Sequence, residues 1–347
     1  MKINNREIGK NFPPYIIAEL SANHGGSIEI AKQSILEAKN SGASAVKIQT
    51  YTPDTMTLNC TKSDFQVREG LWAGKTLYDL YSEAYLPFEW HKPLFEYAKS
   101  INITLFSSPF DESAVDLLES LDVPAYKIAS FEITDLPLVK YVASKNKPIL
   151  ISSGMATLEE ISETLEEIRS LNNKDIILFH CISSYPALTK DSKLKNIIFL
   201  KEKFNVDVGL SDHTLSNTAA IASIVLGATV IEKHFKLDDT VDSVDSDFSL
   251  TASAFKSLVQ DCNDVWLAQA NKDFSRAESE KESLKYRRSI YFVKNIKKGS
   301  ILREEDIKRV RPGYGLNPKF LKMIIGSRLL RDVEFGDPVT WEDIVSD

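Results

Sequence analysis

Cysteine is scarce in this sequence: only Cys60, Cys181 and Cys262 occur among 347 residues, far from one another. An odd count without metal-type spacing excludes a disulfide framework and points to reduced thiols in a cytoplasm. A surplus of positive charge is missing as well. The net charge of −7 leaves the molecule without an electrostatic footprint for nucleic acid or an anionic membrane. No apolar run approaches the roughly 18–20 residues that span a bilayer, and the polar opening MKINNREIGK is not expected to serve as a signal peptide. The hydrophobic share of 43% and charged share of 26% are ordinary for a globular protein.

What is present is an alternation of short apolar runs with helical patterns. Eight runs read YIIAE (15–19), AVKIQ (45–49), TLFSS (104–108), AYKIAS (125–130), PILISS (148–153), IILFHC (176–181), VGLSDH (208–213) and VIEKH (230–234). Runs of about 4–6 residues rich in Val and Ile fit parallel strands buried on both faces. Eight such units predict an α/β fold, a closed (β/α)8 TIM barrel, whose active site lies at the C-terminal strand ends. Those ends carry Glu19, Lys47, Gln49, Ser108, Lys127, Ser130, Ser152, His180, Ser211, His213 and His234. Polar residues gathered from eight segments onto one rim are hard to explain as packing, so an enzyme is expected.

Helical spacing predicts outer helices at 27–41, with Gly42 as a stop, and at 158–171, and a buried helix at 219–226. One connection is irregular. Residues 50–90 follow the second strand and include GLWAGKTLYDLYSEAYLPFEW, a loop long enough to contact substrate or form a lid; the alternative is an insertion packed outside the barrel. The charge-rich run KDFSRAESEKESLK (272–285) reads as a linker between a barrel domain, 1–271, and a small second domain, 286–347. That second domain has short β-like pieces, Gly-containing turns and a basic edge.

Strand alternation puts Lys47 with Gln49, Ser211 with His213, and Glu232 with His234 on common faces. A lysine inside a barrel without a partner costs several kcal/mol in desolvation. Lys47 and Lys127 therefore want an anion. With Ser108, Ser130, Ser152 and Ser211 nearby a phosphate fits, and an internal carboxylate such as Glu232 is the alternative. His213 and His234 end neighbouring strands, about 4.8 Å apart in backbone. They can converge on one divalent ion completed by water and substrate oxygen; a general base or a pair of core histidines is the other reading. His180 is a weaker candidate, and His91, on a helical pattern, reads as structural. Asp245, in the loop after the eighth strand, is placed to hydrogen-bond a polar ligand, although such acidic loops are more often merely solvated.

With these residues in view, the sequence resembles the sialic acid synthase family over nearly its full length. The resemblance is carried by IIAELSANHGGS (16–27), AVKIQTYTPDT (45–55), LWAGKTLYDLYSEAY (71–85), FSSPFD (106–111), YKIASFE (126–132), SSGM (152–155), GLSDHT (209–214), EKHF (232–235), RRS (287–289) and RPGYG (311–315). AELSANH and LWAGKTLYDLY bring it nearest to the branch that makes pseudaminic acid. The resemblance implies a barrel joined to a small antifreeze-like (SAF) domain, a domain-swapped homodimer, and condensation of phosphoenolpyruvate with an acetamido sugar. It implies that His213 and His234 hold Mn²⁺, with Mg²⁺ or Co²⁺ as substitutes. It also implies that Lys47, Ser108, Lys127, Ser130, Ser152, Ser183 and Ser211 surround phosphoenolpyruvate. Glu19, Gln49, Glu132, Tyr185 and Asp245 would contact the sugar or the reaction centre, with Glu19 and Glu132 both candidates for the base that accepts a proton from water. Arg311 would reach the barrel of a partner subunit. Two departures, NHGG where many members read NHNG and Ser183 where Asn is common, remove neither a charge nor a ligand.

Within the family the rival products are N-acetylneuraminate and legionaminate. A metal-dependent hydrolase or aldolase would be expected to show further His or carboxylate clusters. A non-catalytic polyanion-binding role for the basic second domain is opposed by its own Glu304, Glu305 and Asp306.

Overall fold

The computed structural model describes residues 1–240, 242–269 and 274–345. The apolar runs become eight parallel strands: β1 Tyr15–Glu19, β2 Ala45–Thr50, β3 Thr104–Pro109, β4 Tyr126–Ile128, β5 Ile149–Ser152, β6 Ile176–Cys181, β7 Asp207–Asp212 and β8 Val230–Lys236. Each pairs with the next in chain order. β8 pairs with β7 and also with β1, from Val230↔Tyr15 to His234↔Glu19, which closes the barrel. Val230 and Ile231 are buried outright, as an all-parallel sheet covered by helices requires.

An outer helix follows each strand: α1 Ile28–Asn40, α2 Phe88–Ser100, α3 Glu112–Ser120, α4 Leu136–Ala143, α5 Leu158–Ser170, α6 Asn196–Phe204, α7 Thr218–Val225 and α8 Ala252–Ala268; the connection after β2 also carries short helices at Pro53–Met56 and Leu77–Ala84. Local chemistry sets their ends. The Ser27 hydroxyl accepts from Ile30 N at the start of α1, and Gly42, at φ +90°, turns the chain after it. Thr157 and Glu160 form a capping box on α5. Inside the barrel, a Cβ on Gly209 would lie 2.7 Å from the Phe179 ring and from the Val230 carbonyl, so only glycine lets that ring fill the interior.

Two strands differ from expectation. β4 stops at Ile128 because Ser130–Glu132 coils into a 3₁₀ turn, and β7 ends at Asp212, which leaves His213 on the loop. The chain divides into two compact units, Met1–Asn271 and Lys272–Asp347. Of the expected linker, residues 272–273 lie outside the described residues. The rest is partly wound into 3₁₀ turns at Glu278–Glu280 and Glu282–Tyr286. The second unit pairs Ser289–Phe292 with Ile307–Val310 and Arg328–Leu329 with Ile344–Val345 around its own core of Ile290, Phe292, Leu302, Ile324 and Val339. Among the described residues no helix is long and apolar enough to cross a membrane.

Candidate active site

The barrel's interior holds a cluster of four buried charges. Lys47 Nζ lies 2.8 Å from Glu19 Oε2 and 3.6 Å from Glu232 Oε1; Lys127 Nζ lies 3.4 Å from the same Glu232 oxygen. The sequence reading left both a bound anion and an internal carboxylate such as Glu232 open for these lysines; each has a carboxylate, and Glu232 serves both. The pairing through Glu232 is nevertheless loose. Lys127, Lys47 and Ser211 all share Glu232 Oε1, at 3.4, 3.6 and 3.4 Å, while Glu232 Oε2 is buried without a hydrogen bond. Good charge-assisted contacts run at about 2.7–2.9 Å. The shorter contacts go elsewhere: Lys127 donates to Ser152 at 2.6 Å, and Lys47 has Glu19 at 2.8 Å and donates to Ser108 at 3.2 Å. Burial would push Glu232 up, but Lys127 and Lys47 overturn it and hold the carboxyl below its usual range. Burial depresses Lys127. Glu19 is raised, chiefly by burial, against the pull of Lys47, and it also accepts from Gln49 at 3.0 Å.

Above this cluster stand the two histidines, ring centroids 5.4 Å apart. The carbonyl of Ile182, 2.9 Å from His213 Nδ1, can only accept, so Nδ1 carries a proton and Nε2 is the nitrogen left to meet a ligand. His234 Nδ1 is buried with no hydrogen-bond partner, 3.9 Å from Asp245 Oδ2. Burial, reinforced by His213 and nearby lysines, keeps His234 neutral. Two neutral-capable imidazoles, one with an orphaned buried nitrogen, fit a divalent ion whose other positions belong to water and substrate. Among the described residues no group of three or more His, Cys, Asp and Glu forms a fuller cage. Asp245 is itself buried and raised by that burial, and its Oδ2 accepts from Ala22 N at 3.5 Å.

The rest of the rim converges on the same mouth. A Cβ on Gly154 would lie 2.8 Å from Ser130 Oγ and collide with Ser183 Oγ, so a glycine leaves both hydroxyls facing one small cradle. Glu132 is half-buried, has an orphaned Oε2, and is pushed up to about 7 by burial. Tyr185 packs 4.5 Å from the His213 ring and 5.1 Å from Phe248. The long loop after β2 reaches this aromatic wall. Trp72 donates its indole N–H to Val244 O at 2.9 Å and sits 6.1 Å from Tyr185. A recess of about 250 Å³ opens beside it, lined by Trp72, Lys75, Glu83, Ser243 and Asp247. A larger cavity of about 740 Å³ lies at the other end of the barrel, by Arg169, Lys174 and Asp207, away from these groups.

A family model described as the NeuB family matches residues 34–274, and one described as the SAF domain matches residues 287–345. The chain belongs to the NeuB family. It is 45% identical over 343 residues to a Campylobacter jejuni (strain 81-176) protein named pseudaminic acid synthase, covering 99% of each chain. It is 43% identical over 334 residues to the Helicobacter pylori pseudaminic acid synthase, covering 96% of this chain and 98% of that one. The solved N-acetylneuraminic acid (sialic acid) synthetase of Leptospira borgpetersenii, in complex with citrate, superposes with a TM-score of 0.73 at 28% identity, covering 82% and 94% of the two chains. The resemblance carried by the sequence motifs is thus borne out at the level of family and fold.

Within this NeuB-family barrel, the structure gathers Glu19, Lys47, Gln49, Ser108, Lys127, Ser130, Glu132, Ser152, Ser183, Tyr185, Ser211, His213, His234 and Asp245 at or just inside one strand-end mouth. Arg311 lies in the second unit, exposed, just after the strand Ile307–Val310. His180 turns away from the interior and bonds the Ser192 carbonyl at 2.6 Å, and His91 is buried against Thr50 at 2.8 Å, a structural role. Glu232 was read only as an alternative partner for the lysines, and Cys181 was missed as a site group. Glu232 is the shared counterion, and Cys181 lies 3.9 Å from His213 Nδ1 and from Ser183 Oγ. Burial would raise the Cys181 thiol, but His213, Ser130 and Lys127 bring it down to about 7. Strand parity held the signal for both, since Glu232 alternates with His234, and Cys181 with Phe179.

Proposed function

We propose that this chain is a pseudaminic acid synthase. It condenses phosphoenolpyruvate with 2,4-diacetamido-2,4,6-trideoxy-β-L-altropyranose and water, giving the nonulosonic acid and phosphate. The observation that carries the reading is the pair Lys47 and Lys127, loosely held by their shared Glu232, beneath His213 and His234, in a chain 45% identical to a pseudaminic acid synthase across 99% of both. N-acetylneuraminate or legionaminate synthesis would use the same machinery with a different sugar.

Lys47, Lys127 and the hydroxyls of Ser108, Ser130, Ser152, Ser183 and Ser211 bind the phosphate and carboxylate of phosphoenolpyruvate, to which they donate better-placed bonds than Glu232 accepts. His213 and His234 hold a divalent ion, Mn²⁺ being the one the family resemblance implies; bound there, it supplies Lewis acidity to the aldehyde oxygen of the open-chain sugar. The methylene carbon of phosphoenolpyruvate attacks that aldehyde carbon, and its C2 gains oxocarbenium character. Glu132 takes a proton from the water that adds at C2, balanced by uptake of one proton at the aldehyde-derived alkoxide, and the tetrahedral adduct then breaks its C–O bond, its C2 hydroxyl proton leaving with phosphate as the ketone forms. Glu132 suits this role better than Glu19: its free Oε2 and a pKa of about 7 match a base at neutral pH, whereas Glu19 is committed to Lys47 and Gln49. Gln49 and Asp245 orient polar groups of the sugar, and Tyr185 with Trp72 walls it in.

The three free cysteines fit a reducing cytoplasm. The working form is a homodimer in which Arg311 of one subunit completes the mouth of the other. The βα loops leave Phe131, Met155, Leu188 and Leu215 exposed at 62%, 62%, 56% and 57%, a quantity of apolar surface that suits a protein cover. Mixing inactive Arg311→Ala with inactive His213→Ala subunits is expected to restore part of the activity; no recovery despite confirmed subunit exchange contradicts sharing. The function itself is tested by phosphate release from phosphoenolpyruvate across a panel of acetamido sugars. The 6-deoxy diacetamido sugar is expected to be preferred by about 1–3 kcal/mol per methyl-sized difference over N-acetylmannosamine. Equal or reversed efficiency moves the chain to another branch of the family.

A further inference from the structure

Lys233 stands between Glu232 and His234, both of which face the barrel interior, so strand alternation turns its side chain outward beneath α8. It is 1% exposed, on a sheet face that an apolar residue would normally fill. All the acceptors of its ammonium lie on one segment, 212–216. They are Asp212 Oδ2 at 2.7 Å, Thr214 Oγ1 at 3.4 Å, Ser216 O at 3.2 Å, and the Thr214 carbonyl in a short contact. The second oxygen of Asp212 accepts from Thr214 N at 2.9 Å. That segment brackets His213. Asp212 and Lys233 are also register partners across β7 and β8, each immediately preceding one of the two histidines.

We propose that the outward Lys233–Asp212 pair is the positioning device of the divalent-ion site, fixing the loop of His213 to the strand of His234 and so setting the distance between the two imidazoles. This rests on the reading that His213 and His234 share an ion. Neither Lys233 nor Asp212 touches the ion or substrate. Their effect runs through backbone geometry: β7 has ended at Asp212, and ladder bonds no longer hold the residue that follows. Outer partners of metal ligands typically change metal affinity by about 10–100-fold.

The test measures Mn²⁺ affinity of the metal-stripped full chain, without substrates, from the electron paramagnetic resonance signal of free Mn²⁺. Melting temperature and phosphoenolpyruvate affinity without added metal are recorded for the same samples. The set is wild type, His213→Ala, Lys233→Met, Asp212→Asn and the double variant Asp212→Asn/Lys233→Met, which strands no buried charge. His213→Ala is expected to abolish tight Mn²⁺ binding. The double variant should keep phosphoenolpyruvate affinity within about twofold and lose about 10–100-fold for Mn²⁺. Asp212→Asn is isosteric: its one amide oxygen can still accept from Thr214 N–H, while Lys233 keeps the Thr214 and Ser216 oxygens but loses its counter-charge, and it should lose at least about threefold should the methionine variants fail to fold. If the foldable variants melt lower yet bind Mn²⁺ like wild type while His213→Ala does not bind it, the pair is scaffold only and the proposal is overturned. If His213→Ala itself binds Mn²⁺ like wild type, the ion-site reading fails and takes the proposal with it.

Discussion

The barrel buries two ionic clusters on opposite faces of the same sheet, and they are built differently. Outside, Lys233 has four acceptors on one segment, and Asp212 spends its other oxygen on a backbone N–H. Inside, Lys47 has Glu19 at 2.8 Å, but both lysines divide one Glu232 oxygen at 3.4 and 3.6 Å, and the other Glu232 oxygen has no hydrogen bond. Both clusters have expensive charges taken out of water. The satisfied one can only hold the fold in place. The unsatisfied one has donors to offer a better anion, because replacing long shared contacts by short ones to phosphate recovers part of the desolvation cost already incurred. On the proposed reading, incomplete satisfaction separates the groups that bind from the groups that brace.

The sharpest way to break that contrast is at the rim. His234 leaves a buried ring nitrogen unpartnered as the inner carboxylates leave oxygens, so His213→Ala should cost activity by about 10²–10³-fold or more. Metal content after dialysis and phosphate release check it; unchanged metal and full activity contradict it.

Glu132 sharpens the comparison as a third case, a half-buried carboxyl outside any ion pair among the described residues. Glu132→Gln should slow turnover by about 10²-fold and lack the rising limb expected of the wild type as pH passes about 7. Its folded pKa is raised, so the stabilisation it gains from holding a proton is full below the unfolded value near 4.5 and lost as pH rises through about 7. Glu132→Gln should therefore melt higher than wild type at pH 8, by an amount worth on the order of 1–3 kcal/mol, and show no such advantage at pH 4. Thermal scans at the two pH values check the sign.

Much of this was legible in the sequence, because the barrel needs strands buried on both faces and such strands read as short apolar runs. The polar strand ends followed from alternation, and the motifs carried the family. The ion pairing was legible only as an alternative, with Glu232 as a partner for the lysines. Lys47 and Glu19 lie 2.8 Å apart because they are register partners on β1 and β2, and register depends on how far each strand is staggered around the closed sheet. The bond from Lys127 to Glu232 crosses the barrel between β4 and β8 and has no local signature. His180 drew attention by its chemistry, although alternation puts Cys181 and Phe179 inward and His180 out. Where β4 gives way to the turn at Ser130–Glu132, a strand-like run ends early, and that turn is what brings Glu132 to the mouth.

The two clusters can be compared in a single titration of phosphoenolpyruvate into wild type, Lys127→Met and Asp212→Asn/Lys233→Met, without sugar or metal. Removing the loosely held ammonium should weaken binding by about 1.5–3 kcal/mol, roughly 10–150-fold, while removing the saturated outer pair should leave the dissociation constant within about twofold. Wild-type affinity in Lys127→Met, or an equal loss in both variants, would contradict the assignment of the inner cluster as the phosphoenolpyruvate site.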